Sequence, residues 1–326
     1  MTERREALLE RKYNPNSSEI YKPTTGVMEL HPSFTAGSHI ISSNQHILYR
    51  STEGTLWRHI GARSDNIDVE FDVDTAIDQT FKNVDLFECG VFTTKGAFVA
   101  SHPEDTGTAY FSGPDGASTL THSLIKFRRY DKSDRYLSDW EYFLPDGSHV
   151  VAVAQTDKKY ICACSNGKIY IYLQSGIIHS TFTHPFKIVT IIAHKNQLAV
   201  FHQDLGIQTH RAIKITIYDI SSFPARECDE ESVPVQGQLE WAGFTKWGIP
   251  AIQDSSGKVS MWINENWITV CQIKETQRIL TIDLDGATTF SIEEPRGVFE
   301  EHELGNFLIA KGPKSVMSIS KDLRRL

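Results

Sequence analysis

Strand–turn–strand units recur along most of this chain, and that recurrence limits the fold more than any other feature. Ile47-Leu48-Tyr49, Thr52-Glu53-Gly54 and Leu56-Trp57 read as strand, tight turn and strand. The pattern returns at residues 87–91 and 97–99 around Thr94-Lys95-Gly96. Its clearest copy is 160–164 and 168–172 around Ser165-Asn166-Gly167, where Asn-Gly supplies the positive φ angles of a two-residue hairpin turn. Looser copies pair 198–201 with 213–218, 249–252 with 259–262, and 307–310 with 316–319. From Gly54 to Gly312 the six hairpins recur about every 52 residues, close to the repeat of propeller blades.

Shorter strand candidates at 67–71, 150–154 and 188–193 fill the gaps, so each unit has about four strands. No helical period persists beyond the first residues. Small twisted sheets set radially around an axis cover one another's faces and leave only short edges. The expected fold is therefore all-β, a six-bladed β-propeller over residues 39–326. An N-terminal arm over 1–38, extended or with a short helix near Glu3 to Lys12, precedes it. A β-sandwich is the alternative, and it needs longer strands or two domains.

Forty per cent of the 326 residues are hydrophobic, enough for a sizeable core. No apolar run reaches membrane-span length, and the first residues lack the apolar run of a secretion signal. Five scattered cysteines fit reduced thiols better than a disulfide framework. A soluble intracellular setting without membrane partners is expected. The net charge of −8 argues against a chain-wide surface for phosphate backbones.

The chain carries no Walker loop, Rossmann glycine fingerprint, His-Glu-x-x-His or Gly-x-Ser-x-Gly. Cys162 and Cys164 fall on one face of a strand without a second ligand pair, and read as small buried hydrophobes. His179, His184, His202 and His210 read as surface or turn residues. No catalytic residue, metal or cofactor is expected, and the chain is not read as an enzyme. The acidic stretch Glu227, Asp229, Glu230 and Glu231 reads as a solvated loop between blades, or as a dock for a basic partner. Arg128, Arg129, Lys132 and Arg135, interleaved with Tyr130 and Tyr136, form the one basic-aromatic cluster and the candidate nucleic-acid contact. Trp241, Phe244 and Trp247 crowd one segment and form the candidate protein interface. An enzyme or small-ligand binder using the central channel, and a directly nucleic-acid-binding propeller, are the alternative functions.

The order of segments carries a resemblance. Asp65-Asn66-Ile67-Asp68-Val69-Glu70-Phe71 follows the first hairpin, and the unit from Val150 to Tyr170 leads into His184-Pro185-Phe186-Lys187. Later come Leu239-Glu240-Trp241-Ala242-Gly243-Phe244-Thr245-Lys246-Trp247-Gly248 and Asp254-Ser255-Ser256-Gly257. Over roughly residues 35–320 this order resembles the middle domain of the minichromosome loss / chromosome transmission fidelity family of replisome adaptors. The resemblance implies a six-bladed propeller that forms a homotrimer. It implies a nuclear, chromatin-associated hub that links the GINS-containing replicative helicase to DNA polymerase α–primase and supports sister-chromatid cohesion. It covers the middle domain alone, so no client-peptide site is carried over onto these residues.

Overall fold

The computed structural model describes residues 31–302 except 63, 74–75, 102–122, 131–137, 146–147, 204–211, 275, 283–286 and 292–299. The described elements are all strands, and no helix among them is long and apolar enough to cross a membrane. The first sheet holds β1 (His39–Ser42), β2 (Gln45–Ser51), β3 (Gly54–Ile60), β4 (Asp65–Phe71) and β5 (Gln79–Lys82). The second holds β6 (Phe87–Thr93), β7 (Gly96–Ser101), β8 (Leu124–Arg129) and β9 (Trp140–Phe143). The third holds β10 (Val150–Gln155), β11 (Lys159–Cys164), β12 (Lys168–Leu173) and β13 (Ile178–Thr183).

The fourth sheet holds β14 (Lys187–His194), β15 (Gln197–Gln203), β16 (Ile213–Asp219) and β17 (Arg226–Ser232). The fifth holds β18 (Leu239–Phe244), β19 (Pro250–Asp254), β20 (Lys258–Ile263) and β21 (Asn266–Gln272). A final three-stranded sheet holds β22 (Gln277–Ile282), β23 (Ala287–Ser291) and β24 (Glu300–His302). The protein is an all-β propeller.

The blade count differs from the expectation of six four-stranded sheets. The described residues show five full blades of four or more strands, and a sixth sheet of three. The hairpin expected at 307–319 lies outside the described residues. The described strands of the sixth sheet are drawn from 277–282, 287–291 and 300–302. The other five expected hairpins pair as read, at β2–β3, β6–β7, β11–β12, β15–β16 and β19–β20.

One irregularity recurs in every sheet. The pairing of the inner strand with its neighbour slips by a residue at Leu48, Glu88, Val151, Val189, Glu240 and Leu280. A bulge bends its strand and increases local twist, which small sheets need to turn around an axis. Its repetition identifies β2, β6, β10, β14, β18 and β22 as equivalent strands, each touching the next around the ring. Leu280 of β22 packs against Ile47 and Trp57 of the first sheet and joins the end of the series to its start.

A bulge also leaves backbone groups unpaired, and buried groups of that kind need partners. The segment from His31 to Ser42 supplies several. Phe34 N donates to Val189 O at 2.9 Å, and Ser33 Oγ donates to Ile188 O at 2.7 Å. Val153 N donates to Thr35 Oγ1 at 3.3 Å. The chain then turns at Gly37, whose carbonyl accepts from Arg50 N at 3.0 Å, and returns as β1 along β2. Residues 31–38, part of the expected arm 1–38, are thus bonded into the inner strands of the first, third, fourth and fifth blades. Together with β1 they place two passes of backbone on the axial side of the ring.

The core lies between the blades. At the second-to-third boundary, Phe98, Phe127, Trp140, Tyr160 and Tyr172 form a ring cluster with centroids 5.0 to 6.4 Å apart. Such pairs contribute about 0.5–1.5 kcal/mol each beyond the area they bury. The turn at Gly167 differs in detail from the two-residue form expected. Only Gly167 has positive φ (80°), its N–H donates to Cys164 O at 2.9 Å, and Ser165-Asn166-Gly167 make a three-residue turn.

Candidate interaction surfaces

Trp241 and Phe244 sit on β18, where alternation sends them to different faces, and Trp247 sits on the turn after it. Trp241 is buried among Ile249, Ala251, Ile279 and Ile282, its ring lying over Gly243 where a Cβ would collide with it. Phe244 packs against the core shared by the fourth and fifth blades, with the His194 ring 5.9 Å away. Trp247 alone shows its ring to solvent, 40% exposed, in the turn Thr245-Lys246-Trp247-Gly248. The Lys246 ammonium stands 5.5 Å from its centroid.

That turn leans on the Lys195-Asn196 turn of the fourth blade, so closely that a Cβ at Gly248 would press on His194 and Gln197. Between the two blades the same face opens into a groove of about 510 Å³. Trp247, Trp262 and Ile217 supply apolar surface. Asp219 and Asp229 stand on the fourth-blade wall with Lys195 in the turn of the same blade, and Lys246 stands on the fifth-blade side. Among the described residues neither carboxylate forms a salt bridge. Asp219 Oδ1 accepts from Ser221 N at 2.8 Å, and Asp229 Oδ1 from Glu230 N at 2.9 Å. The Trp262 ring stacks on Trp267 at 6.3 Å, and its buried Nε1–H has no acceptor among the described residues.

The acidic stretch is not the loop that was expected. Residues 226–232 form β17, the outer strand of the fourth blade, paired along its inner edge to β16. An outer strand needs one partner, and charge on its free side discourages edge-to-edge association. Glu230 pairs with Lys214 of the neighbouring strand β16 at 2.7 Å. The Lys214 ammonium and the nearby imidazoles hold its carboxyl below the usual carboxylate range.

The basic cluster is not brought together by the described residues. The Arg128 guanidinium lies 4.5 Å over the Phe81 ring of the first blade. Arg129 N donates to Asp139 Oδ1 at 2.9 Å, with its Nε 3.9 Å from the same oxygen. Lys132, Arg135 and Tyr136 lie outside the described residues. Both described arginines are committed to packing within and between blades.

Two expected surface histidines are buried. His184 Nδ1 and the Tyr218 hydroxyl are 2.9 Å apart, and His202 Nε2 lies 2.8 Å from Thr216 Oγ1. The two imidazoles stand 4.3 Å apart, with Phe186 stacked on His202. Each ring nitrogen bonded to a strand hydroxyl replaces lost water, which is how a histidine enters a core. Burial, aided by His202, pushes His184 down to about 4. His179 is half-buried, and His210 lies outside the described residues. Cys162 and Cys164 are fully buried as read, and burial raises the Cys162 thiol well above its ordinary value.

At one mouth of the channel, the bulge residues Glu88 and Glu240 border a chamber of about 600 Å³ together with His31, His39 and His46. Arg58 clamps Glu88 at 2.7 Å and Arg278 clamps Glu240 at 3.0 Å. Burial and the Arg278 charge push His39 down to about 4. Among the described residues no group of three or more His, Cys, Asp or Glu side chains is placed to hold a metal ion.

A family model described as "Minichromosome loss protein, Mcl1, middle region" matches residues 31–282. No curated protein matches the sequence. Among solved structures, HIRA(644-1017) is similar at 17% identity, over 54% of this chain and 52% of that one, with a TM-score of 0.37. Kluyveromyces lactis Hsv2 is similar at 8% identity, over 85% of this chain and 99% of that one, with a TM-score of 0.45. Chaetomium thermophilum Raptor is similar at 9% identity, over 81% of this chain and 24% of that one, with a TM-score of 0.49.

Proposed function

The chain belongs to the family described as the middle region of the minichromosome loss protein Mcl1, and on that premise we propose that it is a non-catalytic scaffold of the DNA replication fork. In this reading six blades close the ring, β22–β24 beginning the last. Three copies associate into a homotrimer in the nucleus. The trimer links the GINS-containing replicative helicase to DNA polymerase α–primase and supports sister-chromatid cohesion.

The observation that carries the reading is the family match over 31–282, in a propeller whose inner strands bond its own segment 31–42. A propeller enzyme ordinarily converges polar side chains along that axis. Here the axial positions bind backbone of the same chain, and the blade faces and rims are left as working surface. The clamped pairs Arg58–Glu88 and Arg278–Glu240 stitch neighbouring blades rather than stand open to a ligand. Three-fold closure limits assembly to a finite particle, and three copies of a weak client site raise effective concentration. The direct nucleic-acid reading has less support, since Arg128 and Arg129 are engaged within the fold.

Affinity purification of the full chain from replicating cells tests this role. Helicase subunits and polymerase α–primase are expected to co-purify after nuclease treatment. Their absence, with the trimer intact, contradicts the fork assignment.

A further inference from the structure

We propose that the groove between the fourth and fifth blades docks an extended peptide carrying a large apolar side chain beside a basic one. The proposal deepens the scaffold reading by naming a surface through which such a hub would hold a client. It stands on the chemistry of the groove.

Three features select this occupant. Trp247 offers an exposed ring face at the rim, and Trp262 and Ile217 continue apolar surface inward. A large side chain seated there covers the exposed Trp247 ring and meets the largely buried Trp262 and Ile217 at the floor of the groove, the usual anchor of a peptide interface. On the fourth-blade wall, Asp219 and Asp229 are without salt bridges among the described residues, and Glu227 extends that wall along the exposed strand β17. Carboxylates beside an aromatic face favour a cation from the occupant. The third feature is the buried Trp262 Nε1–H, which has no acceptor among the described residues. An extended backbone carries a carbonyl at every residue, and one of them satisfies this donor after a small rotation of the ring. Lys246 on the fifth-blade wall sets the direction, placing the basic residue of the peptide toward β17.

The groove lies beside the β14–β15 and β18–β19 turns. It needs no second copy of the chain.

Fluorescence polarisation with the full chain tests the proposal. The probes are a fluorescein-labelled Gly-Lys-Leu-Phe-Lys-Arg-Gly amide and its charge-reversed partner Gly-Glu-Leu-Phe-Glu-Glu-Gly amide. The basic peptide is expected to bind at 50 mM salt and the acidic one at least tenfold more weakly. Trp247→Ala, at an exposed site, and Asp219→Asn with Asp229→Asn, which keep their backbone acceptors, should each weaken the basic peptide about tenfold or more. Unchanged circular dichroism and thermal midpoint verify that these variants fold. Equal binding of the two peptides, binding untouched by the substitutions, or no binding of either up to millimolar concentration overturns the proposal. Because the trimer mass is measured separately, failure here leaves the scaffold reading standing, and failure of that reading leaves this test intact.

Discussion

His31 Nε2 accepts a 2.6 Å hydrogen bond from the backbone N–H of Leu239, across 208 residues of chain. The other ring nitrogen, Nδ1, bonds Pro32 O at 2.8 Å, so the ring is neutral with its proton on Nδ1. His31 N in turn donates to Gln203 Oε1 at 3.1 Å, and Lys187 Nζ donates to His31 O at 2.6 Å. One residue at the start of the axial segment therefore ties the fourth and fifth blades together.

Removing that ring leaves the Leu239 N–H buried without an acceptor. His31→Ala is expected to lower stability by about 1–3 kcal/mol in urea denaturation. His31→Gln, which restores an acceptor, should recover part of the loss. Equal losses for both would show that ring volume, and not the bond, matters.

Acid should loosen the same region. Burial lowers the folded-state pKa of His31, and it brings His39 and His184 to about 4. A histidine with a depressed folded pKa is neutral in both states above about 6.5, where its contribution to stability is complete. As pH falls below that value the unfolded chain takes up the proton first, and the contribution is lost down to the folded pKa. For His184 the full loss is about 3 kcal/mol between roughly pH 6.5 and 4. Urea midpoints measured from pH 7.5 to 4.5 should fall, and His184→Gln should flatten the decline. A wild-type profile flat over that range contradicts this assignment.

Gly167 occupies a turn no other residue fits. Its φ is 80°, and a Cβ there would strike the carbonyl oxygen of His184. Gly167→Ala should cost roughly 1–3 kcal/mol from strain at positive φ and displacement of His184. A stability change under about 0.5 kcal/mol would mean that the turn relaxes freely.

The blades were legible where strand and turn signals coincide. Residues 160–172 carry apolar alternation on both sides of Asn166-Gly167, and they pair as β11 and β12. The hairpins read from sequence do not, however, occupy equivalent places. Those at Gly54 and Gly96 join a bulged strand to its neighbour, β2 to β3 and β6 to β7, whereas those at Gly167 and Gly257 join the two strands after the bulged one, β11 to β12 and β19 to β20. A spacing averaged over unlike turns still gives a sensible repeat but hides the blade boundaries. The bulges at Leu48, Glu88 and their four equivalents mark those boundaries, and a bulge leaves no fixed residue type in the sequence. β17 was misread because a strand with one paired edge tolerates four acidic residues in seven. Burial of His184 and His202 was also hidden, since their partners Tyr218 and Thr216 lie on another strand. Of the candidate aromatics, Trp247 reaches water because it lies in the turn beyond β18, and their crowding in one segment did not show where that strand would end.

Multi-angle light scattering of the full chain at micromolar concentration tests the central claim most directly. A homotrimer predicts a particle of three times the 36.8 kDa chain mass, stable on dilution through the micromolar range. A particle of a single chain mass at every concentration contradicts the account.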